Sequence, residues 1–189
     1  MTALEIFEEI NARKMQGIVF HAQLADYFDF LNLHGFKRMH EYHYLLESVE
    51  LRGMHRYVIN HLNKLMHEYT VIDAKTIPTN WYGYARMDID PSTRKTAVKD
   101  AFMKWYEWES DTRALLEKKF KELTDMGCIA YANKVNQLIN DVDQELKHVT
   151  RDLIKYKAVD WDMCMISMEQ DEMHECYRQK EKEIGVDIC

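Results

Sequence analysis

Residues 24–36 of the chain read LADYFDFLNLHGF, an amphipathic run that is interrupted by a short polar turn. Upstream of this stretch, apolar residues recur every three or four positions from residue 4 to residue 31, as on one buried helix face. Downstream, the same spacing continues from Phe36 to about residue 68. Because residues 32–35 alone separate the two predicted helices, we expect them to pack antiparallel as a hairpin.

A second hairpin is predicted in the other half of the chain. Helical spacing resumes at residue 97 and ends near Gly127, a residue type that commonly terminates helices, and a fourth helix follows over residues 129–157. Between the hairpins, residues 69–96 predict a long extended crossover, with or without a short strand. Two hairpins joined by one long connection form an all-α, antiparallel four-helix bundle with a single crossover. The crossover carries an aromatic group formed by Trp81, Tyr82 and Tyr84.

The composition agrees with a single helical domain. The chain has 189 residues, of which 47% are hydrophobic and 30% are charged, with 6 glycines and 2 prolines. This length supports one well-buried domain, and the scarcity of turn-forming residues disfavours an all-β or disordered chain. We therefore place the bundle in residues 1–160. Residues 161–189 belong to the same domain, with a short fifth helix over residues 162–184 and a tail.

Charge and cysteine spacing restrict the partners and the compartment. Acidic residues outnumber basic ones by 32 to 25, and the formal net charge of -7 disfavours binding to nucleic acid. No apolar run approaches the roughly 20 residues of a membrane span, and the N-terminus lacks an export signal. The 4 cysteines form no CxxC pair, which argues against a zinc ribbon, a rubredoxin-like iron site or a disulfide scaffold. We expect a cytoplasmic protein with reduced thiols that binds neither nucleic acid nor membrane.

Polar residues recur on the helix faces that are predicted to be buried. Glu47 and Glu50 project about 60° apart around the second helix, and Glu109 lies on the apolar side of the third. The fourth helix carries Glu145 and His148, whose carboxylate and imidazole lie one turn apart. Because an unpaired buried carboxylate is unstable, metal ions or basic side chains are expected to neutralise these groups.

The sequence resembles the ferritin-like superfamily, most closely the non-haem ferritins and bacterioferritins. The first hairpin carries the resemblance, since Tyr27-Phe28-Asp29 precedes a Gly35-Phe36 turn. Residues 67–78 are similar to the family's long crossover, and residues 105–123 and 135–154 to its second hairpin. The resemblance implies two iron ions per chain, ferrous iron oxidised by dioxygen or peroxide, and a homo-oligomeric cage that stores ferric mineral. Carboxylates and imidazoles suit manganese and zinc as well as iron.

The resemblance also implies a set of metal ligands. The family's second-helix glutamate and histidine fall on Glu47 and Glu50, so a glutamate stands where histidine is usual. The implied ligands are Glu47, Glu50, Glu109, Glu145 and His148, with Glu107, Asp141 and Gln144 as alternatives under other registers. In the first helix the family's glutamate falls on Lys14, with Arg13 and Gln16 nearby, so the expected carboxylate is absent.

Lys14 leaves two hypotheses open. In the first, two ions still bind, with His21 or His43 replacing the missing ligand; the alternative for both histidines is a hydrogen-bonded core position. In the second, the Lys14 ammonium or the Arg13 guanidinium takes the place of a metal and forms a buried salt-bridge cluster. Such a metal-free bundle would act as an oligomerising or protein-binding module, with residues 162–184 as its docking helix.

Two related families fit the sequence less well. DNA-protecting miniature ferritins have first-helix histidines near the spacing of His21 and His34, but their later acidic ligands would fall near Val49 and Gly53. The start of the chain also offers no basic tail for nucleic acid. Rubrerythrin-like electron transfer is disfavoured because the cysteines are not paired.

Overall fold

The architecture is all-helical, as predicted. The computed structural model describes residues 1–66 and 89–183, and no strand occurs within these ranges. The helices, in chain order, are α1 (Ala3–Phe30), α2 (His34–Leu62), α3 (Pro91–Asp125), α4 (Ile129–Ala158), α5 (Met163–Met168) and α6 (Gln170–Glu183). Helix α1 packs along α2, and α3 packs along α4, so both predicted hairpins form. None of the described helices combines the length and the apolar character needed to cross a bilayer.

The first hairpin is defined by local signals at its start and at its turn. The Thr2 side chain accepts a hydrogen bond from the Glu5 backbone, and Glu5 accepts one from the Thr2 backbone, which together form a capping box. At the turn, Asn32 adopts a left-handed φ of 60°. Helix α2 ends at Leu62 rather than at residue 68, because Asn63 also adopts a left-handed conformation, with φ of 50°.

The second hairpin begins earlier than the apolar spacing predicts. Asp90 accepts hydrogen bonds from the backbone of Ser92 and Thr93, and Pro91 occupies the first helical position. Residues 91–96 therefore belong to α3 and not to the crossover. The α3–α4 turn contains Gly127 at φ of 73°, in agreement with the predicted helix end. Residues 69–88 of the predicted crossover, including Trp81, Tyr82 and Tyr84, lie outside the described residues.

The C-terminal segment forms two helices instead of the single short helix that was predicted. The helix is interrupted at Glu169, which lies between α5 and α6. Helix α6 packs against α2. The Gln170 side-chain oxygen accepts hydrogen bonds from the backbone N–H groups of Gly35 (3.0 Å) and Phe36 (3.2 Å), and it thereby caps the start of α2. A Cβ atom at Gly35 would lie 2.6 Å from the Gln170 carbonyl oxygen, so this close approach requires glycine.

Three cysteines lie in the part of the chain that the structure describes, and they are free thiols. Cys164 and Cys176 are exposed and Cys128 is half-buried. Cys189 lies outside the described residues.

The hydrophobic core consists of two clusters separated by a polar layer. One cluster contains Phe28, Phe102 and Trp105, and the other contains Phe7 and Leu123. Along each of the four long helices, the positions between the two clusters carry polar side chains. These residues are Lys14 on α1; His43, Glu47 and Glu50 on α2; Glu109 and Thr112 on α3; and Glu145 and His148 on α4. The candidate site therefore lies across the middle of the bundle.

Candidate metal centre

The polar layer lines a small cavity that is partly open to solvent. Its volume is about 30 Å³, which is sufficient for one water molecule or one ion. All four long helices contribute to its wall. The lining residues are Lys14, His21, His43, Leu46, Glu47, Glu50, Glu109, Asp141, Val142 and Glu145.

Lys14 occupies one side of this cavity as a buried cation. Its side chain is 4% exposed, and its Nζ atom lies 2.9 Å from Glu47 Oε2 and 2.5 Å from Glu50 Oε2. Burial lowers the pKa of Lys14, but attraction to Glu47 and Glu50 outweighs burial and raises the pKa above its usual value. Gly17 makes room for this arrangement, since a Cβ atom there would lie 3.1 Å from Glu47 Oε1. The ammonium therefore lies where a cation between the two carboxylates would lie.

Arg13 forms no ion pair with these carboxylates among the described residues, although Glu47 and Glu109 attract its charge. Its guanidinium lies 3.4 Å from the centre of the Trp108 ring and donates hydrogen bonds to the Thr112 hydroxyl and the Trp108 carbonyl. Of the two basic residues that the sequence singled out, Lys14 is the one that neutralises the carboxylates.

Glu109 and His21 also line the cavity and form a second buried group. The Trp105 indole donates a hydrogen bond to Glu109 Oε1 at 3.1 Å, and His21 Nε2 lies 3.5 Å from the same oxygen. The other His21 nitrogen, Nδ1, lies 3.0 Å from His40 Nδ1. Burial, together with His21 and His43, lowers the pKa of His40 well below its usual value. His21 thus occupies the hydrogen-bonded core position that was the alternative to a ligand role.

His43, Glu145 and His148 bring three potential ligand atoms to within 4.8 Å of one another. His43 Nδ1 lies 3.3 Å from Glu145 Oε2, yet this oxygen and His43 Nε2 make no hydrogen bond within the described residues. Buried polar atoms without hydrogen bonds are unusual and point to a missing partner. Two imidazoles and one carboxylate are a ligand set typical of divalent iron, and they suit zinc and manganese as well. The residues present therefore fit one cation.

At pH 7 the two imidazoles are in the form that binds a cation, whereas Glu145 must first lose a proton. Burial and the nearby His21 and His148 lower the pKa of His43 well below its usual value. Burial, with Arg151 and Lys180, lowers the pKa of His148 to about 4, so both imidazoles are neutral at pH 7. Burial and the charges of Glu109, Glu47 and Glu50 raise the pKa of Glu145 to about 8. A cation beside Glu145 would favour its ionised form.

Two further side chains contact His148. Its Nε2 atom lies 3.4 Å from Asp152 Oδ2, one turn further along α4, and burial raises the pKa of Asp152 to about 6. Its Nδ1 atom lies 3.4 Å from the hydroxyl of Tyr177 on α6. The sequence analysis did not single out either residue.

Solved structures share this architecture. An open-pore ferritin from the hyperthermophilic archaeon Archaeoglobus fulgidus matches with a TM-score of 0.74 over 91% of this chain and 95% of that chain. A closed form of the same ferritin, engineered by site-directed mutagenesis, also gives 0.74, and a humanized archaeal ferritin gives 0.73; both cover 92% of this chain and 96% of theirs. This chain has a ferritin-like fold. The predicted resemblance is thereby confirmed for the fold.

Sequence comparison gives little information beyond the ferritin-like fold. Identity to each of these three structures is 15%. No protein-family model matches the chain, and no curated protein matches it in sequence. The function of this ferritin-like bundle must therefore be argued from its own side chains.

The ferritin-like bundle places the predicted ligands in one layer, but they do not all lie around one point where a metal ion could bind. Glu47 and Glu50 are paired with Lys14, Glu109 is hydrogen-bonded to Trp105, and Glu145 and His148 are joined by His43. Of the alternatives from other registers, Asp141 lines the cavity, Gln144 is exposed, and Glu107 is exposed and paired with Lys104. Asp152, four residues after His148, could have been found from helical spacing, whereas Tyr177 could not.

Proposed function

We propose that this ferritin-like protein binds one divalent transition-metal ion per chain, with ferrous iron as the first candidate, at His43, Glu145 and His148. The observation that carries the proposal is the approach of these three donors to within 4.8 Å inside the bundle. His43 Nε2 and Glu145 Oε2, which form no hydrogen bond within the described residues, support it further.

Lys14 is the reason why we propose one metal ion per chain and not two. A second ion between Glu47 and Glu50 would have to displace the ammonium that already lies 2.9 Å and 2.5 Å from their carboxylate oxygens. A buried cation and a divalent ion repel each other strongly at such separations. In this proposal Lys14 supplies the charge of a second metal, and the two-ion arrangement of the sequence analysis is reduced to one ion.

Iron is the substrate or cargo in this proposal. Two neutral imidazoles and the Glu145 carboxylate would hold the ferrous ion, and Glu145 would release its proton as the ion binds. His43 is buried and Glu145 and His148 are half-buried, so the ion would remain partly open to water. Oxidation of ferrous iron by dioxygen or peroxide, and storage in a homo-oligomer, are the activities that such a site would serve.

A second candidate function is a metal-free bundle that oligomerises or binds another protein. Lys14 favours it, because the ammonium neutralises Glu47 and Glu50 without any metal. The packing of the predicted docking helix, residues 162–184, disfavours this function. The described part of this segment packs on its own bundle, where Tyr177 and Glu181 are buried. Arg38 on α2 pairs with Glu181 at 2.5 Å and holds α6 in place.

The test is a count of bound ions per chain. Purified protein is dialysed anaerobically against ferrous iron, and the bound metal is measured by plasma mass spectrometry in the parent, Glu145→Ala, His148→Ala and Asp141→Ala. Asp141 is a matched control because it lines the same cavity from α4 but is not one of the three donors. We expect about one ion in the parent and in Asp141→Ala, and a loss of binding in the other two variants.

Other results would contradict the proposal. About two ions per chain, of which one is lost in Glu47→Ala, would restore the two-iron hypothesis and refute the role given to Lys14. Fewer than about 0.2 ions per chain would leave the metal-free bundle as the better hypothesis. Ferric absorbance during exposure to air then shows whether bound ferrous iron is oxidised.

A further inference from the structure

Tyr177 reaches the candidate metal centre from outside the four-helix bundle. The residue lies on α6 and is 4% exposed, and its hydroxyl lies 3.4 Å from His148 Nδ1. Its ring is inclined by 18° to the His148 imidazole, and its centroid lies 6.2 Å from that of His43. A phenol oxygen therefore adjoins the group formed by His43, Glu145 and His148.

Asp152 lies beside one of the two ring nitrogens of His148. The Asp152 carboxylate lies 3.4 Å from His148 Nε2, and its side chain is 8% exposed. A carboxylate next to one ring nitrogen favours the tautomer that carries the proton there. The lone pair then lies on Nδ1, which can accept the hydrogen bond of the Tyr177 hydroxyl or bind a cation.

Several contacts fix the position of Tyr177. Gln170 at the start of α6 caps α2, and the buried Glu181 near its end pairs with Arg38 at 2.5 Å. Between them, the Lys180 ammonium lies 4.4 Å from the centre of the Tyr177 ring. Because α6 is held at both ends, the phenol is preorganised beside His148, as a metal ligand needs to be.

We infer that Tyr177 is a fourth donor to a cation held by His43, Glu145 and His148, and that Asp152 positions His148 for that cation. This inference rests on the proposed function. When a ferric ion binds, the Tyr177 O–H bond breaks, its proton passes to solvent, and the oxygen lone pair forms the bond to the ion. No electron is transferred in this step. Tyrosine phenolate is a known ligand of iron in proteins, so this donor would favour ferric iron over zinc.

The test compares two variants that each remove one buried hydroxyl, Tyr177→Phe and Tyr156→Phe. Tyr156 is the matched control because it is 2% exposed and its hydroxyl bonds to Glu169 at 3.0 Å rather than to one of the three donors. The parent and both variants are titrated with ferric nitrilotriacetate while the visible absorbance is recorded. We expect a phenolate-to-iron charge-transfer band in the parent and in Tyr156→Phe, and its absence in Tyr177→Phe.

Affinities give a second measurement on the same samples. Tyr177→Phe should bind ferric iron about 10-fold to 100-fold more weakly than the parent, and Tyr156→Phe should bind as the parent does. Asp152→Asn should keep the band while its affinity falls about tenfold, because the tyrosine remains but His148 loses its orienting carboxylate. Resonance Raman spectra of the parent with bound ferric iron detect tyrosinate vibrations without any variant. The inference can therefore be tested even if Tyr177→Phe folds poorly.

The outcomes separate this inference from the proposed function. If the parent binds iron through Glu145 and His148 but shows neither the band nor tyrosinate vibrations, Tyr177 is not a ligand and the proposed function stands. Equal bands in Tyr177→Phe and the parent would overturn the inference in the same way. If the parent binds no metal at all, the proposed function fails and the inference fails with it.

Discussion

Replacement of Lys14 by methionine tests the central electrostatic argument. The ammonium lies 2.9 Å from Glu47 and 2.5 Å from Glu50, and each contact corresponds to about 6 kcal/mol of attraction at an effective dielectric constant of 20. Desolvation of the buried charges offsets much of this attraction. Variants that remove one partner of a buried pair typically lose about 3–5 kcal/mol, because the remaining charge stays buried without a partner. We expect Lys14→Met to lose a similar amount of unfolding free energy when metal-free.

Urea unfolding of the metal-free protein, with a chelator present, measures this loss. Lys121→Met is the control, since Lys121 forms an exposed pair with Asp125 at 2.5 Å and should change stability by less than about 1 kcal/mol. Divalent metal should restore part of the stability of Lys14→Met, and the bound metal should rise from about one ion per chain to about two, because a cation can now lie between Glu47 and Glu50. A metal-free Lys14→Met variant that unfolds within about 1 kcal/mol of the parent would refute the reasoning.

Three further predictions concern pH, steric fit and the docking of α6. The pKa of Glu145 is raised to about 8 from an ordinary 4.5, so the metal-free native state holds a proton that the unfolded state has lost. The contribution of Glu145 to stability should therefore fall between about pH 4.5 and pH 8, with a slope of at most about 1.4 kcal/mol per pH unit. Glu145→Gln should remove that slope in urea titrations, and a slope that persists would contradict the assignment. Gly35→Ala should lose about 1–3 kcal/mol because its Cβ would meet the Gln170 carbonyl oxygen at 2.6 Å, whereas Gly53→Ala, with nothing within 4 Å, should gain about 0.5–1 kcal/mol in the same thermal unfolding assay. Arg38→Met should lose about 3 kcal/mol, since it leaves the buried Glu181 unpaired, and faster proteolysis of α6 should accompany the loss; unchanged proteolysis would show that other contacts hold this helix.

Helix faces could be predicted from the sequence because apolar spacing reports burial directly. The fourth helix, predicted over residues 129–157, is observed over Ile129–Ala158. The largest error in a helix start occurred at α3, where the Asp90-Pro91 pair was interpreted as part of the crossover although Asp before Pro is a typical helix beginning. Errors of this kind arise because apolar spacing is weak in the first turn of a helix, where capping residues determine the position at which the helix begins.

The candidate site could be predicted in part. Glu145 and His148 were found because both lie on one helix, where sequence spacing fixes their separation. The choice between a ligand role and a salt bridge for Glu47 and Glu50 depended on where the Lys14 side chain reaches, which spacing does not encode. Tyr177 was beyond prediction because its position depends on the packing of α6 on α2, a tertiary contact fixed by Gln170 and Glu181.

The polar layer between the two hydrophobic clusters also determines how the long helices are aligned. Uniformly apolar seams would let two antiparallel helices slide past each other by one turn at little loss of buried area. Here, a slide of one turn would move Lys14 by about 5.4 Å along the bundle, away from Glu47 and Glu50 and toward apolar neighbours. Each misaligned packing would therefore bury unpaired charges, as a single polar position does when it fixes the register of a coiled coil. The polar layer therefore fixes one alignment of the helices along the bundle axis, independently of metal binding.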